Sequence, residues 1–288
     1  MDTDMNVNRI EICKLDGSKI PYSAMDFSGG ERHIQLKDLT PLETKELCIR
    51  ARVRSTSDLL DLLLIENALR EEFGKDITIN LEIPYLPYSR QDRVCAPGQA
   101  FSLQVMANLL KTMNINKLVT WDCHSAVGSE LVSAINVEAA DIISANSDLQ
   151  DLLKAPDTVL VCPDKGAVNR CQKIQNSLGL KDLIFCEKQR DPATGMIKET
   201  RVLADDLTGK IAIISDDICD GGFTFIKIAE QLRAKQVEQI ILFVTHGIFS
   251  KGIEVFDNLI DRVITTTSFP QKTSAKLNVI NFEYNFGE

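Results

Sequence analysis

The segment IAIISDDICDGGFT, Ile211 to Thr224, is an apolar run that stops at two carboxylates and then becomes glycine-rich. It opens with four consecutive apolar residues, Ile211 to Ile214, a run that is typical of a strand buried on both faces of a parallel sheet. Phe223 to Lys235 then carries apolar side chains at helical spacing. The polar stretch between them therefore joins the carboxyl end of a strand to the amino end of a helix. This order predicts an α/β sheet that binds its ligand at this edge.

The polar part of this stretch offers two kinds of ligand group. Asp216 and Asp217 could hold a sugar diol or a metal, and the amides of Asp220 to Thr224 could cradle a phosphate. A simpler interpretation is an ordinary strand–helix turn in which Asp220 caps the helix. The stretch alone leaves both interpretations open.

Composition limits the class of protein. The chain has 288 residues, enough for one large or two ordinary domains, with 44% hydrophobic and 25% charged residues. A net charge of −9 weighs against a nucleic-acid partner. No apolar stretch reaches the ~18 residues of a membrane span, and the amino end lacks the pattern of an export signal. The eight cysteines form no CxxC pair and are expected to be reduced core thiols. We expect a cytoplasmic protein with no membrane partner.

Two other apolar strands also end at acids. Lys117 to Cys123 reaches Asp122, followed by His124, and Thr158 to Asp164 ends at Asp164 itself. A lone histidine at a strand end is more often structural, but Asp122 faces the same side and favours a ligand role. Strands alternate with helices along the chain, which indicates an α/β architecture.

Three polar segments are candidate loops. FSGGERHIQL, Phe27 to Leu36, suggests a hairpin or a loop that leads into a strand. Ser89 to Gln99 groups Arg90, Gln91, Asp92 and Arg93, whose planar donors suit a phosphate or a base edge, although charged loops are usually only solvated. QRDPATGMIKET, Gln189 to Thr200, reads as a mobile flap or a simple hairpin connection, with Lys188 and Arg190 at its stem.

Taken together, these segments resemble the ribose-phosphate pyrophosphokinase family, also called phosphoribosyl pyrophosphate synthetases, over nearly the whole chain. One block would be weak support, but several occur in the order and spacing of the family. The matching blocks are FSGGE at Phe27–Glu31, PYSRQDR at Pro87–Arg93, ANLL at Ala107–Leu110, WDCH at Trp121–His124, CPDKGAVNR at Cys162–Arg170, EKQR at Glu187–Arg190, SDDICDGGFT at Ser215–Thr224 and THGIFS at Thr245–Ser250.

The resemblance implies two tandem domains of the phosphoribosyltransferase type, each a mainly parallel sheet flanked by helices. Residues 1–140 would form the ATP adenine and metal side, and residues 141–288 would carry the ribose phosphate loop and the catalytic flap. Family members bind ATP and ribose 5-phosphate between loops of the two domains. We also expect a homo-oligomer.

The resemblance also assigns site residues, carried over block by block. The expected catalytic residues are Lys188, Arg190 and His124. The expected ATP ligands are Phe27, Glu31, Arg90, Gln91 and Asp92. The expected ribose-phosphate ligands are Asp164, Asp216, Asp217, Asp220, Gly221, Gly222, Phe223 and Thr224. Asp122 and His124 match the family's metal-site pair, which implies Mg²⁺ as the cofactor, although Mg²⁺ prefers oxygen ligands to the imidazole of His124.

The implied reaction is Mg²⁺-dependent transfer of the β,γ-diphosphate of ATP to the anomeric hydroxyl of ribose 5-phosphate. Two substitutions within the phosphate loop depart from the family, which usually has Thr at Gly221 and Gly at Phe223. A loop without that hydroxyl and with an aromatic side chain suits an esterified phosphate. ADP-ribose is therefore the alternative acceptor, and its product, ADP-ribose pyrophosphate, would serve NAD synthesis.

Two other classes remain as alternatives. A phosphoribosyltransferase would share the loop at Asp216 to Thr224 but would not need the blocks at Phe27 and Arg90. A non-catalytic regulatory homologue would be expected to lose Lys188, Arg190 or His124, and this sequence has all three.

Overall fold

The computed structural model describes residues 9–190 and 197–287, and leaves the side chains of residues 188–190 and 197–199 undescribed. The chain forms two compact units. The C-terminal unit contains Glu138–Phe282, and the N-terminal unit contains residues 9–137 together with 283–287. The assignment of ATP to residues 1–140 and of the acceptor to residues 141–288 stays a prediction. Within the described helices, none is long and apolar enough to cross a membrane.

The N-terminal unit is built on a five-stranded sheet. In chain order its elements are Ile10–Lys14 (β1), Tyr22–Asp26 (β2), Arg32–Leu36 (β3), Glu46–Ala51 (β4), Thr56–Phe73 (α1), Thr78–Glu82 (β5), Ser102–Thr112 (α2), Leu118–Trp121 (β6), Ala126–Leu131 (α3) and Ile135–Val137 (β7). The sheet has the order β1-β4-β5-β6-β7. Its strands are parallel except for β1, which is antiparallel to β4.

Helix α1 begins at a capping box and packs an apolar stripe into the core of this unit. The Ser55 side chain accepts from the Asp58 amide at 3.1 Å, and the Asp58 carboxylate accepts from the Ser55 amide at 3.0 Å. Ser55 is therefore the N-cap residue, and Ser57 already lies inside the helix. Leu62 and Ile65 are fully buried, and each contributes roughly 1.5–3 kcal/mol by leaving water.

FSGG is the turn of an antiparallel hairpin formed by β2 and β3. The Phe27 amide donates to the Glu31 carbonyl at 2.9 Å, and Gly30 has a φ of 90°, which glycine adopts without strain. Arg32 fixes the hairpin to α1, because its Nε and Nη2 atoms donate to the two Asp61 carboxylate oxygens at 2.6 and 2.8 Å. The hairpin interpretation of this stretch is therefore correct.

The last described residues of the chain pack onto the N-terminal unit through Glu82, a fully buried carboxylate on β5. The Tyr284 amide and the Trp121 indole donate to Glu82 Oε1 at 3.0 and 2.9 Å. Arg50 Nε donates to Glu82 Oε2 at 2.9 Å, and Arg50 Nη1 also pairs with Glu283 at 2.9 Å. Burial raises the pKa of Glu82, while these donors lower it.

The C-terminal unit is built on a seven-stranded sheet. Its helices and strands are Ala139–Ser144 (α4), Ser147–Lys154 (α5), Thr158–Cys162 (β8), Val168–Leu178 (α6), Leu183–Arg190 (β9), Ile197–Val202 (β10), Ile211–Cys219 (β11), Phe223–Ala234 (α7), Gln239–Gly247 (β12), Arg262–Thr266 (β13) and Leu277–Ile280 (β14), with short 3-10 helices at Lys165–Ala167 and Glu254–Phe256. The strand order is β10-β9-β8-β11-β12-β13-β14, and only β10 is antiparallel to its neighbour.

Strand β11 lies at the centre of this sheet and is buried on both faces. Ile213 belongs to the core formed with α6, while Ile214 belongs to the core formed with α7. Each residue type in this run is β-branched or small, which suits a strand covered by helices on both sides. The predicted fold class is confirmed: two mainly parallel sheets flanked by helices.

The predicted flap lies at the connection between β9 and β10. These strands pair antiparallel, with Lys188 opposite Thr200 and Arg190 opposite Ile197. Residues 191–196, the centre of the expected flap, lie outside the described residues. A hairpin stem is therefore present, and the motion of the flap stays a prediction.

Candidate functional site

Asp216 and Asp217 lie within β11 and not in the loop after it. The predicted strand ended at Ile214, but β11 continues to Cys219 because β12 runs alongside it, with Asp216 opposite Val244 in parallel register. Backbone pairing thus overrides the loss of apolar character at the two acids. The loop itself begins at Asp220.

Arg170, in the first turn of α6, holds the two carboxylates together. Its Nη1 lies 3.6 Å from Asp216 Oδ1, and its Nη2 lies 3.5 Å from Asp217 Oδ1. The three side chains are only 11%, 19% and 12% exposed, respectively. Burial raises the pKa of Asp216 well above its ordinary value, and Arg170 opposes this effect, whereas Asp217 and Asp164 reinforce it. Arg170 is therefore the cation that makes two neighbouring buried acids tolerable.

Arg170 is the last residue of the block CPDKGAVNR, and the sequence of this block alone predicts no role for it. The role of Arg170 could have been predicted from its position, because it is a cation in the first turn of the helix that follows a strand ending at an acidic residue. In a parallel sheet, β8 and β11 are neighbours with the same direction, so their carboxyl ends meet at one edge. A cation after one strand can then reach acids at the end of the other.

Asp164 caps a short helix. Its Oδ1 accepts from the Gly166 and Ala167 amides at 2.9 and 3.3 Å and so caps the 3-10 helix Lys165–Ala167. Its charge also reaches Asp216, where it raises the pKa. A ligand role for Asp164 stays a prediction.

The loop between β11 and α7 leads into a helix whose N-cap residue, a glycine, makes no side-chain cap hydrogen bond. The N-cap residue is Gly222 with φ 80° and ψ −6°, so the interpretation of Asp220 as the cap was wrong. A Cβ at Gly222 would lie 2.7 Å from Phe256 Cζ, so this position requires glycine. The first amides of a helix lack intrahelical acceptors and lie at the positive end of its dipole. An anion is the fitting partner for such an end.

The THGIFS segment holds this loop in place from the neighbouring strand. The Ile248 and Phe249 amides donate to the Cys219 carbonyl at 2.9 and 3.0 Å, and the Ser250 amide donates to the Asp220 carbonyl at 3.1 Å. A Cβ at Gly247 would overlap the Phe249 ring. The backbone of the loop is therefore fixed by long-range contacts rather than by its own sequence.

Phe223 is an exposed aromatic side chain at the first position of α7. It is 59% exposed, unlike Phe225, which is buried two residues later. The Lys227 ammonium lies 5.8 Å from the centre of the Phe223 ring and pairs with Glu230 at 2.8 Å. The ring and a cation thus lie beside the loop between β11 and α7. Thr224, next in the helix, is half-buried.

In the N-terminal unit, Asp122 and His124 follow β6 directly. Asp122 is 5% exposed, its amide donates to the Val137 carbonyl at 2.7 Å, and its φ is 40°. A non-glycine residue with positive φ stores strain that often marks a functional position. His124 is exposed.

These two donors fit Mg²⁺ only as part of a larger set. Among the described residues, no group of three or more His, Cys, Asp or Glu side chains is arranged to hold a metal. Mg²⁺ commonly takes one or two carboxylates and completes its shell with water and substrate phosphates. Asp122 suits that arrangement, and His124 suits a contact with a bound water or a phosphate.

The predicted ATP ligands come from two parts of the N-terminal unit. Phe27 and Glu31 lie at the hairpin tip, where Phe27 is 51% exposed and its ring centre lies 5.5 Å from that of His33. An exposed aromatic face can stack on a base. Arg90 and Gln91 follow a turn at Tyr88 (φ 62°), which the Gln91 amide closes by donating to the Tyr88 carbonyl at 2.8 Å.

Arg90 is exposed in this loop, whereas Asp92 is half-buried. Arg93 Nε lies 3.9 Å from Asp92 Oδ1, a weak exposed pair. The Lys188 and Arg190 backbones lie in β9, and their side chains lie outside the described part of the chain. No role for these residues is tested by the geometry.

All eight cysteines are free thiols, and most of them are buried. Burial raises the pKa of Cys219, the cysteine at the end of β11, to about 12. A thiol with this pKa stays protonated and is a poor nucleophile. Cys219 therefore packs the core beside the loop and does not react.

Comparison with solved structures defines the class of protein. The phosphoribosylpyrophosphate synthetase of Mycobacterium smegmatis matches with a TM-score of 0.75 over 93% of this chain and 88% of that chain, at 24% identity. Identity at this level shows the fold alone. The fold is the two-domain α/β architecture of the phosphoribosyltransferase type.

The family follows from the sequence matches. Residues 11–113 match the N-terminal domain of ribose phosphate pyrophosphokinase, and residues 159–283 match the phosphoribosyl synthetase-associated domain. The ribose-phosphate pyrophosphokinase of Aquifex aeolicus is 31% identical over 242 residues, which are 80% of this chain and 74% of that protein. The one from Wolinella succinogenes is 27% identical over 285 residues, 96% of this chain and 89% of its own length. This chain belongs to the ribose-phosphate pyrophosphokinase family and is an enzyme of the transferase class, as predicted.

Proposed function

We propose that this enzyme transfers the β,γ-diphosphate of ATP to the anomeric hydroxyl of a ribose 5-phosphate acceptor and releases AMP. The observation that carries the proposal is the pair Asp216 and Asp217, held by Arg170 at 3.6 and 3.5 Å shortly before the amino end of α7, where the N-cap residue is Gly222. Carboxylates accept hydrogen bonds from a sugar diol, and helix amides donate to a phosphate. The names of the relatives support the same substrate class.

The acceptor phosphate would bind at Asp220, Gly221, Gly222, Phe223 and Thr224, with Asp164 nearby. The acceptor would then lie on residues 141–288 and ATP on residues 1–140. The exposed ring of Phe27 and the exposed guanidinium of Arg90 support the assignment of ATP to residues 1–140. Adenine has a π face that can stack on either group and ring nitrogens that accept hydrogen bonds. Glu31, Gln91 and Asp92 complete the proposed ATP set.

Mg²⁺ is the proposed cofactor, with Asp122 as its carboxylate ligand and His124 beside it. The ion would supply fixed positive charge against the triphosphate oxygens. The strained backbone of Asp122, with φ 40°, supports a functional role for this carboxylate. His124 would donate a hydrogen bond to a phosphate or a coordinated water.

The chemistry requires positioning and charge rather than a covalent intermediate. The anomeric hydroxyl forms a bond from its oxygen to the β-phosphorus and releases its proton to solvent, the bond from that phosphorus to the α,β-bridging oxygen breaks, and AMP leaves with that oxygen. Charge in a loose phosphoryl-transfer state spreads over the transferred oxygens, so Lys188 and Arg190 would stabilise it as fixed cations. A closing flap would exclude water, which competes with the sugar hydroxyl.

The test is an assay of AMP release from ATP in the presence of Mg²⁺ and ribose 5-phosphate. The sugar product is identified by mass spectrometry. Lys188→Ala and Arg190→Ala should each keep ATP affinity and lower turnover by ~10² to 10⁵. Lys181→Ala is the matched control, since Lys181 is exposed just before the other end of β9. Less than about a threefold loss in both variants would refute the assigned roles.

ADP-ribose is the second candidate acceptor, and the 59% exposure of Phe223 favours it. ADP-ribose keeps a ribose 5-phosphate unit with a free anomeric hydroxyl, so Asp216 and Asp217 could hold its diol in the same way. Phe223 would stack on the adenosine portion for ~1–3 kcal/mol.

Both sugars should be offered at equal concentration and the products compared by mass. If only ribose 5-phosphate reacts, and Phe223→Gly leaves that preference unchanged, the acceptor is the simple sugar phosphate. A preference for ADP-ribose that Phe223→Gly removes would support the extended acceptor.

A further inference from the structure

Lys251 lies next to the phosphate loop, on a turn that is tied to it. The turn runs from Phe249 to Gly252 and is closed by the Gly252 amide, which donates to the Phe249 carbonyl at 2.9 Å. The Ser250 amide donates to the Asp220 carbonyl at 3.1 Å, so the backbone on either side of Lys251 is fixed relative to the loop. The position of Lys251 is therefore set by hydrogen bonds, although its ammonium is exposed.

The stem of Lys251 borders the space that a side chain at position 221 would take. An ideal Cβ on Gly221 would lie 3.8 Å from Lys251 Cγ and would meet nothing closer. Gly221 has no left-handed φ, in contrast to Gly222. Backbone geometry thus demands glycine at 222 but not at 221. The missing side chain at 221 leaves room at the loop edge, and Lys251 is the residue that faces it.

Lys251 differs from Lys227 in that its ammonium is not held by a described acidic side chain. Lys227, the other cation beside the loop, already pairs with Glu230 at 2.8 Å and lies over Phe223. In the part of the chain that the structure describes, Lys251 forms no ion pair or hydrogen bond that would hold its ammonium elsewhere. A flexible lysine stem can pack along the loop while the ammonium reaches a ligand.

We propose that Lys251 binds the 5-phosphate of the acceptor. Its ammonium would compensate for the hydroxyl donor that glycine at position 221 does not provide. This inference rests on the proposed function, because it assigns the phosphate to the loop at Asp220 to Thr224. An ammonium is a point charge with rotatable donors, so it can pair with a phosphate monoester or with an esterified phosphate. Lys251 then determines affinity for the acceptor and leaves ATP affinity unchanged.

Calorimetry with ribose 5-phosphate and with ADP-ribose tests this role directly, without turnover. Lys251→Ala should weaken the acceptor that binds wild type by about 10- to 100-fold, the range for a lost charged hydrogen bond. Lys251→Arg should retain most of the affinity, and Lys181→Ala should match wild type. Adding Gly221→Thr to Lys251→Ala should recover part of the loss, since 3.8 Å leaves ordinary space for the threonine.

The outcomes separate this inference from the proposed reaction. Equal acceptor affinity in wild type and Lys251→Ala overturns the role of Lys251 and leaves the reaction standing if AMP is still released. Weaker binding in Lys251→Ala, together with no AMP release from wild type, supports Lys251 and overturns the reaction. If wild type binds neither sugar phosphate, both are overturned. A parallel loss of ATP affinity in Lys251→Ala would also overturn the assignment, because it indicates general damage.

Discussion

The two adjacent glycines of the phosphate loop are predicted to respond very differently to the same substitution. Gly222 has a φ of 80°, and a Cβ there would lie 2.7 and 2.9 Å from two ring atoms of Phe256. Phe256 is fully buried and has no room to withdraw. Gly221, one residue earlier, would place its Cβ in ordinary contact at 3.8 Å. The pair is a natural internal comparison.

The expected cost of Gly222→Ala follows from two separate effects. A left-handed backbone costs an alanine roughly 1–2 kcal/mol relative to glycine. Forcing a methyl group into a filled site costs about 1–3 kcal/mol more. The sum is a loss of about 2–5 kcal/mol in the free energy of unfolding. Gly221→Ala should change it by no more than about 1 kcal/mol in either direction, because fewer unfolded conformations offset small native contacts.

Urea unfolding of the full chain measures both variants. Circular dichroism is the suitable signal, because the single tryptophan, Trp121, lies in the N-terminal unit and the two glycines lie in the other unit. The transition midpoint should fall for Gly222→Ala with an unchanged slope. If the two alanine variants differ by less than about 1 kcal/mol, the steric reasoning at Phe256 is wrong.

Three further changes test the remaining clusters. Arg170→Gln should raise the KM for the acceptor by about 10- to 100-fold and leave the KM for ATP unchanged, because Asp216 and Asp217 lose their shared cation. Arg170→Lys should recover part of the loss. Equal changes in both KM values in steady-state kinetics would show that Arg170 is only structural. Burial raises the folded-state pKa of Glu82 above its ordinary value, so its contribution to stability is present at low pH and is lost as pH rises through the raised value. Glu82→Gln should flatten this part of the curve, measured by Trp121 fluorescence during urea unfolding at several pH values, and an unchanged pH dependence would contradict the assignment. Asp122→Asn should abolish the effect of Mg²⁺ on ATP affinity in calorimetry, and a persisting metal effect would make Asp122 structural.

The fold was largely predictable because its central strands are continuous apolar runs. Ile211 to Ile214 and Gln239 to Gly247 lie in the cores of strands that helices cover on both sides, so their sequence needs no alternation. Other elements escaped prediction. Glu46–Ala51 (β4) mixes charged and apolar residues because its Arg50 forms a salt bridge with the buried Glu82. Ile135–Val137 (β7) is only three residues long. Such elements are stabilised by their neighbours rather than by their own pattern.

The site was predictable in its residue types but not in its geometry. The acids at 216 and 217 end the apolar run, yet backbone pairing to β12 carries the strand on to Cys219. Asp220 is a good helix cap by type, but hydrogen bonds from Ile248, Phe249 and Ser250 fix the loop so that Gly222 opens the helix. The residues that set the geometry of the loop come from the next strand–helix unit, and local sequence does not reveal them.

The same reasoning explains why Arg170 and Lys251 carried no assignment from the sequence alone. Neither lies in the stretch it serves: Arg170 follows β8, and Lys251 follows β12, the two strands that flank β11 in the sheet. Parallel strands bring the loops after β8, β11 and β12 to one edge, where Arg170 pairs with the acids of β11 and Lys251 lies beside Gly221. The charge balance of the proposed acceptor site would therefore be a property of three loops together. A substitution such as glycine at 221 can be offset from a neighbouring loop, so a departure within one motif does not by itself indicate a loss of phosphate binding.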